Sequence, residues 1–198
     1  MNIGFIGTGL MGSPMIKNLL KSKHKISIFN RTISKAKKLK KYGAYLSYKI
    51  EELVKDKEII ITMLTDDKAV NNIIRSKTFL NNVCKQTTVI DMSSTKPSTA
   101  LDNYKTLKKK GVYFLDAPVS GGTKGAESAS LAIMVGGEKK IYKKNLKVLK
   151  MLGIPNYVGK PSSGQAAKLA NQIIVGITIG AVSEACLLYT SPSPRDKR

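Results

Sequence analysis

A glycine-rich segment near the N-terminus constrains the fold more than any other feature of this sequence. It stands between an apolar run at residues 2–6 and an amphipathic run at residues 11–20. The segment consists of Gly7, Thr8, Gly9, Leu10, Met11 and Gly12. In a dinucleotide-binding turn the first glycine permits the tight turn, the second lets a pyrophosphate approach the backbone, and the third lets the helix pack on the strand. The alternative is a glycine-rich turn with a purely structural role.

Short apolar runs alternate with longer amphipathic runs along the rest of the chain. The runs at residues 25–29 and 58–63 are mostly apolar, as expected for strands that are covered on both faces. The alternation predicts an α/β fold of the Rossmann type, with a doubly wound, mostly parallel sheet. Further strands are predicted at residues 87–91, 112–116, 131–135 and 156–158, and a lysine-rich helix at residues 138–151.

Two changes of pattern divide the chain into three segments. Residues 1–160 form the predicted Rossmann domain, and a new helix that opens after Ser163 and Gly164 begins the segment at residues 161–185. Residues 186–198 contain two prolines and resemble the translation of a sequencing-library adapter, so we exclude them from the fold prediction. The alternative for this tail is an ordinary disordered C-terminus.

The formal net charge of +21 comes almost entirely from lysine. Such a field favours anionic partners, including nucleic acid, phosphorylated cofactors and acidic metabolites. The alternative is a compositional bias that spreads lysine over solvated helix surfaces. We favour the bias because the lysine run at residues 35–41 lacks the interleaved aromatic residues of a nucleic-acid stacking surface. Nucleic acid is therefore not an expected partner.

The low cysteine content and the lack of a recognisable targeting signal predict a reducing, cytoplasmic setting. Cys84 and Cys186 are too few and too far apart for a disulfide framework or a thiolate metal site, so no metal is predicted. The N-terminus enters a strand pattern directly, without a signal or transit segment. The apolar stretch at residues 169–189 is interrupted by polar residues such as Asn171 and Glu184, which favours a buried helix over a membrane span.

The residues after the second predicted strand indicate which dinucleotide binds. An NAD site places Asp or Glu there for the ribose hydroxyls, whereas this chain has Asn30, Arg31 and Thr32. An arginine can pair with a 2′-phosphate through charge-assisted hydrogen bonds, and the two neighbours can add neutral ones. NADP(H) is therefore the predicted cofactor. The alternative is that Arg31 is a solvated turn residue and that NAD is accepted as well.

The acid–base inventory excludes dehydrogenases that depend on a positioned histidine. His24 is the sole histidine, and it lies in the turn before the second strand. Lysine is the remaining proton donor, and with thirty lysines the residue type alone cannot select one.

Four separated motifs resemble those of the β-hydroxyacid dehydrogenase family, which includes 3-hydroxyisobutyrate dehydrogenase and tartronate semialdehyde reductase. The resemblance extends over residues 1–185. The motifs lie at residues 4–12 with Met15, at residues 91–94 leading to Pro97, at residues 116–122, and at residues 164–172.

The resemblance implies a role for individual residues. Lys168 would be the general acid–base, and Met63, Leu64 and Ser94 would contact the cofactor. The substrate-binding residues would be Ser120, Gly121 and Gly122, which bind the carboxylate, together with Asn171 and Gln172, which line the pocket. Glycine N–H groups can approach a carboxylate closely, and a protonated lysine can donate to a carbonyl oxygen. Without its flanking motif, Lys168 would be interpreted as one more surface lysine.

Within the family, the motifs most resemble those of tartronate semialdehyde reductase, which predicts NADPH-dependent reduction of a small semialdehyde acid. Activity on 3-hydroxyisobutyrate, glyoxylate, succinic semialdehyde or methylmalonate semialdehyde is the alternative, since Gln172 replaces an asparagine found in many members. A non-catalytic, basic NADP- or nucleic-acid-binding module is the alternative of another class. Family members continue into an all-helical domain that closes the site and forms much of the dimer interface. We therefore expect only the first helix of that domain here, with low activity, an exposed apolar face at residues 173–182, and oligomers only for the full-length protein.

Overall fold

The computed structural model describes residues 1–190, in which strands and helices alternate along the chain. The strands are β1 (Asn2–Ile6), β2 (Lys25–Phe29), β3 (Tyr45–Leu46), β4 (Ile59–Thr62), β5 (Thr88–Asp91), β6 (Tyr113–Asp116), β7 (Val119–Ser120), β8 (Leu131–Gly137) and β9 (Gly153–Gly159). The helices are α1 (Gly12–Leu20), α2 (Ile33–Lys37), α3 (Ile50–Val54), α4 (Asp67–Ile74), α5 (Lys77–Asn82), α6 (Pro97–Lys108), α7 (Gly122–Glu127), α8 (Lys139–Lys150) and α9 (Ser163–Thr190), with a 3₁₀ turn at Lys40–Tyr42.

The strands form one sheet in the order β3-β2-β1-β4-β5-β6-β8-β7, with β9 paired to β8. The first six strands in this order are parallel, and their 3-2-1-4-5-6 sequence is that of a Rossmann fold. The strand order reverses between β1 and β4. A crevice at that reversal, beyond the carboxyl ends of the strands, is where doubly wound sheets bind ligands.

The structure confirms the predicted fold class and most strand positions, and it adds three features. β3 and β7 have only two residues each, too few to produce a periodic pattern. β8 runs antiparallel to β6 and continues through Gly137, beyond the predicted strand. β9 begins at Gly153, ahead of the predicted strand, and a Cβ at Gly153 would lie 2.0 Å from the Leu131 carbonyl oxygen, so glycine allows β9 to pair closely with β8 there.

Alternate residues of the strands supply two apolar layers, one on each face of the sheet. Ile3 and Phe5 of β1 pack with Met15 of α1 in the larger layer. Ile6 faces the other way and packs with Leu53 and Val70 in the layer under α3 to α6. Because both faces are covered, the strands are almost continuously apolar, as the sequence pattern predicts.

The prediction that the apolar C-terminal stretch is a buried helix is wrong for this chain. The helix forms, but within α9 only Gly164, Gln165 and Lys168 are buried. Its apolar side chains beyond that turn face solvent; Ile177, for example, is 68% exposed. This confirms the other expectation for this segment, an exposed apolar face at residues 173–182. By length and composition α9 could also cross a membrane, with none of its most apolar window buried. The predicted tail at residues 186–198 lies partly in this helix, and residues 191–198 lie outside the described part.

Candidate active site

A cleft of about 310 Å³ opens at the carboxyl ends of β1, β2 and β4, at the reversal of strand order. Seven of the residues predicted to bind the cofactor line it: Gly7, Gly9, Asn30, Arg31, Thr32, Met63 and Leu64. The other lining residues are Ile6, Phe29, Lys35, Thr65, Ala69, Asn72 and Ile73. The cleft therefore combines an apolar wall with a cationic rim at Arg31 and Lys35.

The three glycines of the turn differ in what surrounds them. Gly7 has a φ of +104°, and a Cβ there would lie 2.2 Å from the Met63 carbonyl oxygen. A Cβ at Gly12 would lie 2.0 Å from the Gly7 carbonyl oxygen, so α1 packs directly on the turn. Gly9 has no protein atom within 4 Å of its Cβ position and lines the cleft. The fold requires Gly7 and Gly12, whereas Gly9 leaves open space, which fits a pyrophosphate lying on the turn.

Asn30 connects the glycine turn to the residues that follow β2. Its Oδ1 atom accepts a hydrogen bond from the Thr8 backbone N–H at 3.0 Å, and its Nδ2 atom donates to the Thr32 carbonyl oxygen at 2.9 Å. Both ends of the side chain are thus occupied within the protein. Arg31 and Thr32 are exposed at the rim of the cleft. Of the predicted trio, Arg31 carries the charge that a phosphate would meet.

Five residues of the predicted cofactor set do not line this cleft. Thr8 and Leu10 face a more open neighbouring groove of about 610 Å³, which Gly9 also borders. Met11 packs against the larger apolar layer, Gly12 is buried at the start of α1, and Ser94 is exposed in the loop after β5.

The predicted substrate-binding residues meet where β7 leads into α7. Gly121 and Gly122 have φ values of +130° and +60°, and a Cβ at Gly122 would meet no atom within 4 Å. The Asn171 Nδ2 atom of α9 lies 3.4 Å from the Ser120 hydroxyl oxygen and donates to it. Gln172 is exposed, with its Oε1 atom 3.5 Å from the same Nδ2 atom. The structure therefore brings the Ser-Gly-Gly turn and Asn171 together, with Gln172 at the edge.

Lys168 differs from every other lysine in residues 1–190, because it alone is buried, with 9% of its surface exposed. Its side chain has neither a hydrogen bond nor an ion pair within that described part of the chain. Burial lowers the pKa of Lys168 below its ordinary value, since the charged ammonium loses hydration. A buried lysine with a lowered pKa suits proton transfer near neutral pH.

No role was assigned from the sequence to two buried carboxylates, Asp91 and Asp116, although they begin the motifs at residues 91–94 and 116–122. Burial raises the pKa of each to about 6, against hydrogen bonds that favour the charged form. For Asp91 these come from Ser93 and from the Thr62 hydroxyl, which donates to Oδ1 at 2.8 Å. The motifs include both residues, but a sequence motif does not show whether a carboxylate is buried. Residues 1–190 contain no cluster of three or more His, Cys, Asp or Glu side chains able to hold a metal ion.

Comparison with protein families places the chain among dinucleotide-binding domains. Residues 2–170 match the model described as the NAD binding domain of 6-phosphogluconate dehydrogenase. The mitochondrial 3-hydroxyisobutyrate dehydrogenase of Drosophila melanogaster is 39% identical over 185 residues, covering 93% of this chain and 57% of the relative. The 2-hydroxy-3-oxopropionate reductase of Escherichia coli (strain K12) is 36% identical over 203 residues, covering 99% of this chain and 67% of the relative.

A solved structure shows the same architecture. The 3-hydroxyisobutyrate dehydrogenase of Mycobacterium tuberculosis with L-serine superimposes with a TM-score of 0.90 at 31% identity, covering 94% of this chain and 64% of that chain. This chain thus spans 57% to 67% of the length of these relatives. The chain belongs to the family of the NAD binding domain of 6-phosphogluconate dehydrogenase and, within it, to the β-hydroxyacid dehydrogenases.

Proposed function

We propose that this chain forms the cofactor-binding part, and carries the proton donor, of an NADPH-dependent reductase of small semialdehyde acids. The burial of Lys168 carries this proposal, because ionisable lysines are seldom buried without a partner unless their altered pKa is used. Tartronate semialdehyde is the substrate that the motifs favour. 3-Hydroxyisobutyrate, glyoxylate and succinic semialdehyde chemistry remain the alternatives within the same reaction class.

Each part of the reaction has residues suited to it. The cleft beside Gly9 would hold the dinucleotide, which when bound supplies the hydride. The N–H groups of Gly121 and Gly122 would bind the substrate carboxylate, and Asn171 would orient the substrate through its amide. Lys168 would donate a proton to the carbonyl oxygen during reduction and, as the neutral amine, accept the hydroxyl proton in the reverse direction.

Substitution of Lys168 tests the proton-donor role. We expect Lys168→Ala to lower turnover by a factor of about 10² to 10⁴ while NADPH binding is retained, because general acid catalysis contributes about that much. Turnover would be measured with tartronate, succinic and methylmalonate semialdehydes and glyoxylate. The assay would use this chain and also a chimera that continues with the C-terminal segment of the E. coli relative. Unchanged turnover in an active protein would reject the role of Lys168.

Binding measurements on this chain alone test the cofactor preference. We expect Arg31→Gln to weaken NADP+ binding about tenfold or more and to leave NAD+ binding unchanged, because hydrogen bonds to charged groups contribute about 1.5–3 kcal/mol. Lys105→Gln removes an exposed lysine on α6 that does not line the cleft, and it serves as the matched control. Equal losses for NADP+ and NAD+ would contradict a 2′-phosphate contact.

We also propose that the full-length protein is a cytoplasmic homo-oligomer whose partner is a small carboxylate substrate. The exposed apolar side chains of α9 are assigned to protein contacts in place of a membrane, because polar residues such as Asn171 and Glu184 interrupt the helix. Nucleic acid is not assigned as a partner. A strongly salt-dependent affinity for duplex DNA would overturn that choice.

A further inference from the structure

The attachment of α9 to the sheet is confined to its first turns. Within this helix the buried residues are Gly164, Gln165 and Lys168, whereas Leu169 and the apolar residues beyond it are largely exposed. Apolar packing therefore contributes little to the orientation of α9 on the sheet. The contacts of Gly164 and Gln165 must set the direction in which the helix carries Lys168.

A buried carboxylate at the end of β6 binds the start of this helix. The Asp116 Oδ1 atom accepts a hydrogen bond from the Ser162 backbone N–H at 2.8 Å, and Oδ2 accepts one from the Gln165 backbone N–H at 3.0 Å. The Gly164 N–H is directed at the same carboxylate. The first N–H groups of a helix have no partner within the helix, and here a carboxylate from the sheet accepts from Gln165 in the first turn and from Ser162 just before it.

Two glycines allow this contact by removing side chains from the junction. A Cβ at Gly136 of β8 would lie 2.6 Å from the Asp116 Oδ1 atom and 2.6 Å from the Gly164 nitrogen. A Cβ at Gly164 would lie 2.4 Å from the Met134 carbonyl oxygen and 2.8 Å from the Asp116 Oδ2 atom. The helix thus begins in direct backbone contact with β8 and with the carboxylate.

The amide of Gln165 connects the same turn to the cofactor cleft. Its Oε1 atom accepts from the Thr95 N–H at 3.0 Å, and its Nε2 atom donates to the Ser93 carbonyl oxygen at 2.8 Å. The Ser93 hydroxyl in turn accepts from the N–H of Leu64, which lines the cleft. Lys168 follows Gln165 by three residues, so the two side chains lie on the same face of α9.

We propose that Asp116 is a positioning residue: together with the Gln165 amide, its carboxylate fixes the first turn of α9 and thereby the location of the Lys168 ammonium. The proposal rests on the proposed function in one respect, the role of Lys168 as the proton donor. The placement itself is a property of this chain without substrate or cofactor. It can therefore be measured whether or not the chain reduces a semialdehyde.

Two NMR readouts on the purified chain test the placement. The first is hydrogen exchange of the Gln165 backbone amide, and the second is the titration of the Lys168 side chain after ¹³C-dimethylation, assigned by its loss in Lys168→Arg. In Asp116→Asn we expect exchange at Gln165 to accelerate at least tenfold. We also expect the Lys168 titration to move upward in pH, because a loosened turn lets water reach the ammonium.

Asp102→Asn is the matched control, since Asp102 is an exposed carboxylate on α6 that pairs with Arg75 at 3.5 Å, and it should change neither readout. Gln165→Met keeps the side-chain volume, removes both amide hydrogen bonds, and should shift the Lys168 titration in the same direction. If Asp116→Asn fails to fold, the Lys168 titration in Gln165→Met tests the placement in its stead. Wild-type exchange and titration in the folded variants would overturn the proposal. Full turnover in Lys168→Ala would instead overturn the proposed function and leave the placement intact.

Discussion

The glycine turn allows a direct test of which residues serve the fold and which serve a ligand. Gly12→Ala would put a methyl carbon 2.0 Å from the Gly7 carbonyl oxygen, about 1 Å closer than real Cβ contacts. Overpacking of this kind costs about 1–3 kcal/mol, which lowers Tm by about 2–12 °C in a chain of this length. Gly9→Ala meets no atom within 4 Å and needs no left-handed backbone, so we expect Tm to stay the same or rise slightly.

The effect of Gly9→Ala becomes visible when NADPH is added. A ligand at 100 times its Kd stabilises the wild-type protein by about 2.7 kcal/mol, a Tm increase of about 5–11 °C. The methyl group of Gly9→Ala would occupy the space left for the pyrophosphate, and we expect at least a hundredfold weaker binding. At the same NADPH concentration the stabilisation then falls to about 0.4 kcal/mol or less.

Thermal unfolding with and without NADPH measures both quantities in one assay. Gly176→Ala is the control for the general effect of replacing glycine, because Gly176 lies in the exposed part of α9 with no atom near its Cβ position. It should keep the full NADPH-dependent increase in Tm. If Gly9→Ala also keeps that increase, or loses as much stability as Gly12→Ala, the division between the glycines is refuted.

Three further predictions concern stability and association. The pKa of Asp91 is raised to about 6 in the folded protein, so the folded state holds a proton that the unfolded chain releases above about pH 4. Between pH 4 and 7 the unfolding free energy of the wild type, measured in urea, should therefore fall by up to about 3 kcal/mol relative to that of Asp91→Asn. A difference between the two proteins that does not depend on pH would contradict this. Asn18→Ala removes the buried amide that donates to the Ala126 carbonyl oxygen at 2.7 Å and should lower the unfolding free energy by about 1–3 kcal/mol. Asn82→Ala, which removes a solvent-exposed hydrogen bond to the Thr78 carbonyl oxygen, should change it by less than about 0.5 kcal/mol. Ile177→Lys on the exposed face of α9 should reduce self-association in light scattering without lowering Tm, and equal aggregation of both proteins would show that this face is not responsible.

The sequence predicted the sheet well because its strands are covered on both faces. Such strands read as apolar runs, and β1 and β2 begin and end at the predicted residues. β7, with two residues, could not be predicted, since its pairing with β8 depends on contacts distant in sequence. Helix formation by α9 was also predictable from the pattern, whereas the exposed apolar face at residues 173–182 was expected from the family resemblance and not from the periodicity. Periodicity reports that side chains are apolar and does not report what covers them.

The site was predictable in its positions and less so in its roles. Gly9, Arg31 and Leu64 were assigned to the cofactor, and all three line the cleft. Asn30 was assigned to the ligand as well, yet its amide bonds to the backbone on both sides of the turn. Asp116 is the first residue of the motif at residues 116–122, but the sequence assigned no role to it. Which hydrogen bonds a polar side chain makes depends on elements far away in sequence, and a motif cannot show them.

The arrangement of charge explains how Lys168 can be buried close to a junction built on a carboxylate. An ion pair between Asp116 and Lys168 would favour the ammonium and raise the pKa of the lysine. Instead, the Asp116 oxygens accept from the N–H groups at the start of α9, and burial alone lowers the pKa of Lys168. The carboxylate therefore stabilises the helix that carries the lysine without neutralising it. An ammonium that has no anionic partner in residues 1–190 remains able to meet the oxygen of a substrate.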